Sequence, residues 1–366
     1  MANILDYIKW RGDLSLEQSE FNEIDNLILS EAAYFPFEEI MGENEIASMK
    51  ELRRRLSKNT IDQTKLLQKE DMELLTIMSK SKRFEEMKLT KYVNKIEKEE
   101  EKQFSAITFL LPDETIYVAY RGTDVSIAGW KEDFNMSFKS HVPSQLDAVS
   151  YLQIIAQYYK QPIRVGGHSK GGNLAVYASI FASEENKKRI INIYNNDGPG
   201  FDEDITETQQ YKEIIEKVHT YIPQDSVFGR LLNHEEKYTV VESNQKGIWQ
   251  HYIYSWQVLG KQFIHLKEVT NGSKFIDKTI KDWLKQTDPK EREQVIDIIF
   301  EIINTTEAET FLEIKDKWLT NGKKILTSYK NIKPESKQMI LNTVSGIFKI
   351  AKDNFFEERK NRKIIR

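Results

Sequence analysis

The segment 163–179, IRVGGHSKGGNLAVYAS, is the feature that most constrains how this chain can fold. Residues that suit a buried strand come first, a glycine-rich turn around Ser169 follows, and small and apolar residues at helical spacing come last. The turn reads Gly-x-Ser-x-Gly, with Gly167 and Gly171 two residues before and after the serine. Between a strand and a helix, this spacing is typical of a nucleophile elbow. We therefore predict that Ser169 is a nucleophile rather than an ordinary polar residue of a turn.

Short runs rich in β-branched and aromatic residues extend the strand pattern on both sides of the elbow. They read ITFLL, IYVAY, PIRVGG, INIYNN, KVHTYI and YTVVES, and helical stretches such as SQLDAVSYLQIIAQYYK lie between them. Strands that alternate with helices indicate a mostly parallel sheet with both faces covered. The predicted fold class is α/β: an α/β-hydrolase-like, mostly parallel sheet with a nucleophile elbow, flanked by N-terminal and C-terminal helical segments.

The pattern divides the 366 residues into three parts. Residues 1–103 are predicted to form an N-terminal helical segment packed on the core, and their charged end, KLTKYVNKIEKEEEKQF, is interpreted as a solvated helix face. Residues 104–265 are predicted to form the α/β-hydrolase core. Residues 266–366 are predicted to be a C-terminal helical extension, in which Asp288 and Pro289 have the residue types of an N-cap and a first helical position. The terminal segments suit a lid, packing elements or a partner surface equally well.

Composition limits the classes of partner. The net charge of −4 indicates neither nucleic acid nor an anionic membrane as a partner. The chain has no cysteine, which excludes disulfides, thiolate–metal sites and cysteine catalysis. Asp6 and Asp13 interrupt the start too early for a signal peptide, and no apolar run approaches the ~18 residues of a membrane span. We expect a soluble, cytoplasmic protein without stable membrane insertion, and the sequence indicates no oligomeric state.

Cofactor motifs are missing from the sequence as well. The segment GGHSKGG does not end in the Gly-Lys-Ser/Thr of a phosphate-binding loop, and no histidines stand at H-E-x-x-H spacing. Without cysteines, a zinc site is not expected either. The prediction is a site that uses no metal and no cofactor.

A serine nucleophile needs a base, usually histidine, that is oriented by a carboxylate. In α/β folds with an elbow, the acid and then the histidine follow the serine along the chain. Of the six histidines, His251 after the strand YTVVES is the preferred base and His234 is its main rival, whereas His168 inside the elbow is expected to point elsewhere. Asp225, in the loop after the second strand beyond the elbow, is the preferred acid. Asp197, at the end of the first strand beyond the elbow, is the alternative acid, although aspartate also favours such turns.

An acyl-transfer site also needs donors for the oxyanion of the tetrahedral intermediate. The backbone N–H of Lys170, directly after the nucleophile, is one expected donor. The segment YRGTD follows the strand IYVAY, and its Thr123 offers both a backbone N–H and a hydroxyl. Thr123 and Lys170 are therefore the predicted oxyanion-hole residues.

With these segments placed, the chain resembles the bacterial Mbeg-like proteins, which belong to the α/β-hydrolase superfamily. The resemblance rests on YRGTD followed by Trp130 and Asp133, and on GGHSKGGNLA, NNDGPGF, IPQDSVFG and QHYIYSW. The N-terminal stretch DYIKWRGDLSLEQSEFNEIDNLILS is also similar to that family, so the resemblance spans residues 1–265. It implies an α/β-hydrolase fold.

More distantly, the elbow and the RGT segment are similar to the class 3, fungal-type lipases. In that pattern the threonine of RGT lines the oxyanion hole, the aspartate before a Ser/Val-containing loop orients the base, and a late histidine is the base. The resemblance implies these roles for Thr123, Asp225 and His251. The segment 197–200, Asp-Gly-Pro-Gly, departs from the lipase pattern.

The leading functional hypothesis is a serine-dependent acyl hydrolase acting on a small-molecule or lipid ester or on a thioester. The alternative is a non-catalytic binding or scaffold protein on the same fold, because a fold does not determine a function. Eight apolar residues are candidates to line the substrate entrance: Phe35, Phe37, Phe228, Leu231, Leu232, Trp249, Tyr252 and Trp256.

Overall fold

A computed structural model describes most of the chain: residues 2–42, 44–56, 61–62, 65–97, 99–124, 126–136, 139–306 and 318–364. The helices are α1 (Ile4–Arg11), α2 (Glu23–Ala32), α3 (Met49–Leu56), α4 (Asp71–Met78), α5 (Ile127–Asn135), α6 (Pro143–Tyr158), α7 (Lys170–Ile180), α8 (Glu184–Arg189), α9 (Glu203–Thr206), α10 (Gln209–Ile214), α11 (Asn271–Gln286), α12 (Pro289–Asn304), α13 (Trp318–Asn331) and α14 (Pro334–Ile364). The strands are β1 (Ile46–Ser48), β2 (Lys88–Glu97), β3 (Lys102–Leu110), β4 (Ile116–Tyr120), β5 (Ile163–His168), β6 (Ile190–Asn196), β7 (Val218–Pro223), β8 (Tyr238–Val241), β9 (Val258–Leu259), β10 (Gln262–Phe263) and β11 (His265–Leu266).

Within the described ranges, nine strands form one sheet in the order β1-β2-β3-β4-β5-β6-β7-β8-β11. The five strands from β4 to β8 run parallel to one another. Antiparallel strands flank them, because β3 pairs antiparallel with β4 and β11 pairs antiparallel with β8. The predicted fold class is confirmed: this is an α/β-hydrolase-like, mostly parallel sheet with helices around it.

The sheet buries both faces, which is why its strands read as continuous apolar runs. Alternate residues of β4 point to opposite sides. Ile116 and Val118 pack in a core with side chains of α6 and α7, the helices of the crossover connections. Tyr117 and Ala119 pack in a second core with side chains of α1 and α2. The N-terminal helices therefore cover the face of the sheet opposite α6 and α7.

One secondary-structure prediction is wrong. The stretch KLTKYVNKIE, interpreted as part of a charged helix, is the strand β2. Its lysines and glutamates alternate with Leu89, Tyr92 and Val93, which pack in or against the two cores, so the charges lie on a strand with a partly solvated surface. Together with β1, which pairs with β2, it carries the sheet into the part of the chain that was expected to be helical.

The chain divides into two compact units. The first comprises residues 1–96, 103–124 and 143–269 and contains the elbow. The second comprises residues 97–102, 125–142 and 270–366, so the C-terminal helices share a unit with α5 rather than standing alone after residue 265.

The second unit has its own small core and polar contacts. Ile127 of α5 packs with Ile296 and Phe300 of α12. Lys131 lies 2.9 Å from a carboxylate oxygen of Asp297. The predicted start of α12 is confirmed, since the Asp288 side chain accepts a hydrogen bond from the backbone of this helix. No helix of the described residues is long and apolar enough to cross a bilayer.

Candidate active site

The segment around Ser169 has the geometry of a nucleophile elbow. β5 ends at His168, α7 begins at Lys170, and Ser169 between them has φ +59° and ψ −134°. A positive φ is costly for a residue with a Cβ, on the order of 1–3 kcal/mol, and persists where the surroundings enforce it. Here the N–H of Ser169 donates to the carbonyl of Asn196, at the end of β6, over 2.9 Å. The turn leaves the Ser169 residue half-buried at the C-terminal edge of the sheet.

The two glycines of the motif are required by close backbone approach. A Cβ on Gly167 would lie 2.3 Å from the carbonyl carbon of Gly171. A Cβ on Gly171 would lie 2.2 Å from the carbonyl oxygen of Tyr120, the last residue of β4. Both distances are far below any real Cβ contact. The sequence pattern and the tight turn are therefore two aspects of the same steric requirement.

The imidazole of His251 is bonded to the carboxylate of Asp197. Nδ1 of His251 lies 2.6 Å from Oδ2 of Asp197. The Asp197 side chain is only 1% exposed, whereas that of His251 is 22% exposed. This is the arrangement of a base oriented by a buried acid, with Nδ1 committed to the carboxylate and Nε2 left for proton transfer.

The second oxygen of the Asp197 carboxylate is also occupied. Oδ1 accepts hydrogen bonds from the Ser226 hydroxyl and, over 3.1 Å, from the backbone N–H of Gly229. Asp197 itself has φ +54°, and its N–H donates to the carbonyl of Tyr221 over 2.8 Å. The segment IPQDSVFG thus supplies donors that make this buried carboxylate tolerable and aim it at His251.

The preferred acid of the sequence analysis, Asp225, lies elsewhere in this arrangement. Its Oδ2 accepts hydrogen bonds from Gly247 N–H over 3.1 Å and from Gln250 Nε2 over 3.0 Å. Its own N–H donates to Gln250 Oε1 over 2.7 Å. We therefore correct the assignment: the alternative acid, Asp197, contacts the base, and Asp225 clamps the short helix Gly247–His251 on which the base stands.

His251 is held between two rings. Its ring centroid lies 4.4 Å from that of Phe228 and 4.5 Å from that of His168. The expectation that His168 points elsewhere is wrong, because its Nε2 also lies 3.0 Å from the carbonyl oxygen of His251. Burial, with a smaller contribution from the neighbouring His251, lowers the pKa of His168 well below its ordinary range. His168 is therefore a neutral ring against the base.

The two predicted oxyanion donors flank the nucleophile in the chain and in space. Lys170 is the first residue of α7, where backbone N–H groups and the helix dipole favour negative charge. Thr123 follows Gly122, and a Cβ on Gly122 would lie 3.1 Å from Cβ of Ser169. The RGT turn thus runs beside the serine. The Lys170 side chain is buried, and its ammonium donates to the carbonyl and the side-chain oxygen of Gln103 over 2.9 and 3.0 Å.

Two further expectations have clear outcomes. His234 is engaged elsewhere, with Nδ1 2.9 Å from Oε1 of Glu236. In the part of the chain that the structure describes, no hydrogen bond joins Oγ of Ser169 to His251. Such bonds are often long in the absence of substrate. Among the described residues, no three His, Asp or Glu side chains form a group that could hold a metal ion.

The apolar candidates for the entrance divide into core and surface. Phe35, Phe37, Leu232 and Trp256 are buried. Phe228 contacts the His251 ring, and Leu231 and Tyr252 are half-buried. Trp249, two residues before His251, is 70% exposed, and its neighbour Ile248 is 55% exposed. The apolar surface nearest the base is therefore on the short helix that carries it.

Sequence reasoning had a signal for Asp197, which ends the strand next to the elbow strand, but undervalued it. It had none for Tyr34, whose hydroxyl lies 3.3 Å from the His168 carbonyl oxygen and 3.4 Å from its Nδ1. These two residues are 134 positions apart in the chain. Only the packing of the N-terminal segment on the sheet brings them together.

A family model described as Mbeg1-like matches residues 78–301. The chain belongs to the Mbeg1-like family. The family resemblance seen in the sequence is thereby confirmed, although the matched range begins later than residue 1 and extends into the C-terminal helices.

Two solved lipase structures are similar to this Mbeg1-like chain. A Rhizomucor miehei lipase in its propeptide complex is 18% identical with a TM-score of 0.32, and the match covers 43% of this chain and 57% of the lipase. The structure of M37 lipase is 15% identical with a TM-score of 0.36, and the match covers 57% of this chain and 68% of that one. No curated protein matches the chain.

Proposed function

We propose that this protein is a serine-dependent acyl hydrolase that cleaves an ester or thioester, with Ser169 as nucleophile, His251 as base and Asp197 as the acid that orients it. The observation that carries the proposal is the hydrogen bond of 2.6 Å between His251 Nδ1 and the buried carboxylate of Asp197. It lies at the sheet edge where the elbow presents Ser169. A serine in a strained turn and an oriented histidine are the two components that acyl transfer requires.

The chemical steps follow from these positions. Nε2 of His251 takes the proton of the Ser169 hydroxyl while Oγ forms a bond to the substrate carbonyl carbon, which gives a tetrahedral oxyanion. The bond to the leaving oxygen or sulfur then breaks, and the leaving group takes the proton from Nε2. Water, deprotonated by the same nitrogen, attacks the acyl-enzyme and releases the acid and free Ser169.

The developing negative charge would be met by two donors. They are the backbone N–H of Lys170 and the backbone N–H or hydroxyl of Thr123. Loss of a single such donor typically lowers the rate by ~10²–10³. The apolar side chains of Ile248, Trp249 and Phe228 next to the base favour a substrate with an apolar acyl group.

The test is labelling of the purified protein with a fluorophosphonate probe, which reacts with activated serines. We expect the wild type to be labelled at one site, identified by peptide mass spectrometry as Ser169. Ser169→Ala should abolish labelling, and His251→Ala should slow it by at least 10³-fold because the serine loses its base.

His234→Ala is the matched control, since it removes the rival histidine without touching the His251–Asp197 pair, and it should label at the wild-type rate. A folded wild type that is not labelled and does not cleave p-nitrophenyl esters or acyl thioesters would contradict the proposal. That result would favour a binding or scaffold protein on a hydrolase fold.

A further inference from the structure

His168, the residue before the proposed nucleophile, makes contacts that the proposed mechanism does not use. Its Nε2 lies 3.0 Å from the carbonyl oxygen of His251, and the two ring centroids are 4.5 Å apart. The residue is 6% exposed. A buried polar ring in contact with the base at both its backbone and its side chain is more than a filler of the turn.

The partners of His168 determine its tautomer. A carbonyl oxygen only accepts, so Nε2 of His168 carries the proton and donates to the His251 carbonyl. Nδ1 is then the acceptor nitrogen, and the Tyr34 hydroxyl lies 3.4 Å from it and 3.3 Å from the His168 carbonyl oxygen. The neutral ring places no second positive charge beside His251 when that residue takes up a proton.

The donated hydrogen bond acts on the end of a short helix. His251 is the last residue of the 3₁₀-helix Gly247–His251, and the last carbonyls of a helix have no partner within it. His168 supplies that partner from β5, the strand that leads into the elbow. The segment that carries the base is thereby tied to the segment that carries the nucleophile.

We propose that His168 is a positioning residue, which holds His251 in register with Ser169 through the hydrogen bond from its Nε2 to the His251 carbonyl and through the contact between the two rings. The proposal rests on the proposed function and goes beyond it. Asp197 orients the ring of the base through Nδ1, Phe228 supports one face, and His168 holds the backbone and the other contact. A misplacement of about 1 Å costs on the order of 10²-fold in rate.

Two substitutions separate the hydrogen bond from the ring contact. His168→Phe keeps a ring of similar size and removes the donor, and His168→Gln keeps an N–H donor and removes the ring. We expect His168→Phe to lower kcat for a p-nitrophenyl ester about 10- to 100-fold with little change in KM, because alignment rather than substrate binding is lost. His168→Gln should recover at least a third of the lost activity on a logarithmic scale.

His219→Phe is the control, because His219 is another partly buried histidine, bonded to Asn192 over 3.0 Å on β7 and outside the site. It should leave kcat within twofold of the wild type. If His168→Phe does not fold, Tyr34→Phe removes the hydroxyl that contacts His168 and should lower kcat about 2- to 5-fold. Values of kcat within twofold of the wild type for both His168→Phe and Tyr34→Phe would overturn the proposal.

A second readout needs no turnover. In protein with isotope-labelled histidines, the proton between His251 Nδ1 and Asp197 should give a downfield NMR signal, assigned by its loss in His251→Ala. The signal should broaden or shift in His168→Phe, return towards its wild-type position in His168→Gln, and be unchanged in His219→Phe.

The two readouts distinguish the two hypotheses. If the wild type is inert towards probe and esters, the proposed function fails, while the NMR comparison still decides whether His168 holds His251. Identical His251 signals in the wild type and in His168→Phe would overturn the positioning role even in an active enzyme.

Discussion

Asp197 and Asp225 stand at comparable places, each just beyond a parallel strand, yet their carboxylates have different partners. Asp197 follows β6, is almost completely buried and bonds to the imidazole of His251. Asp225 follows β7, is half-buried and bonds to Gly247 and Gln250. The first orients the base itself, and the second fixes the loop that carries the base.

Strand adjacency explains the difference. β6 is the neighbour of the elbow strand β5, and their register pairs His168 with Asn196. Asp197 is therefore the next residue after a partner of the elbow, beside Ser169, whereas Asp225 belongs to the strand one step farther away. Counting strands along the chain identifies an edge of the sheet, but the lateral position on that edge decides which acid meets the base.

The largest effect that tests this comparison is expected for Asp197→Asn. The amide cannot carry the negative charge, and its NH₂ group facing Nδ1 would favour the wrong tautomer of His251. The value of kcat/KM for a p-nitrophenyl ester and the rate of fluorophosphonate labelling should both fall about 10³- to 10⁴-fold. If Asp197→Asn is more active than Asp225→Asn, the comparison is reversed.

Gly229→Ala should disturb the same carboxylate indirectly. A Cβ at this position would lie 2.4 Å from Oδ1 of Asp197, so the carboxylate must move. We expect kcat to fall about 10- to 100-fold, in line with the cost of displacing a catalytic group by about 1 Å. Gly322→Ala, where a Cβ meets no atom within 4 Å, is the matched substitution and should leave kcat as it is. Equal kcat values for the two variants would show that Asp197 tolerates displacement.

Asp225→Asn should have a smaller effect. Asparagine keeps one acceptor oxygen for Gly247 or Gln250 but loses the charge, and a hydrogen bond to a charged group contributes about 1.5–3 kcal/mol. We expect kcat to fall about 3- to 10-fold and the Tm to fall by a few degrees, as the loop of His251 loosens. Kinetics beside a thermal melt measure both, and a loss of 10³-fold or more would mean that Asp225 acts on the base directly.

The smallest effect on catalysis is expected for a third buried acid, Glu236. Its carboxylate accepts hydrogen bonds from Tyr211 and Thr220 and contacts His234, at 2.6, 2.7 and 2.9 Å. Burial by itself would raise the pKa of Glu236, but these partners, His234 foremost, outweigh burial and lower its pKa to about 2. Glu236→Gln should leave kcat within twofold and lower the free energy of unfolding near neutral pH.

The sign of the pH dependence follows from the lowered pKa of Glu236. Between its unfolded value, about 4.3, and its folded value, the unfolded chain binds the extra proton, so the stability from this residue is complete above about pH 4.3 and is lost as the pH falls towards about 2. Urea unfolding from pH 2 to 7 should show a gap between wild type and Glu236→Gln that grows with pH, on the order of 2–3 kcal/mol at its largest. A gap that is constant with pH would contradict the assignment.

The sequence by itself determined the features that depend on neighbouring residues. Gly167 and Gly171 are needed for the tight turn at Ser169, and the strands of the parallel sheet are readable because residues buried on both faces must be apolar. The base His251 and the end of the sheet at which it lies also followed from chain order. A charged run misled the assignment of β2, because alternating lysines satisfy a partly solvated strand as well as a helix face.

Only the tertiary structure decided which distant residues meet. The choice of Asp197 over Asp225 depends on the lateral order of β5, β6 and β7, which no local pattern encodes. The contacts of Tyr34, His168 and His251 join three segments, two of them 134 and 83 residues apart in the chain. Propensity and periodicity act over a few residues, whereas orientation of a base requires side chains brought together by register and packing across the whole sheet.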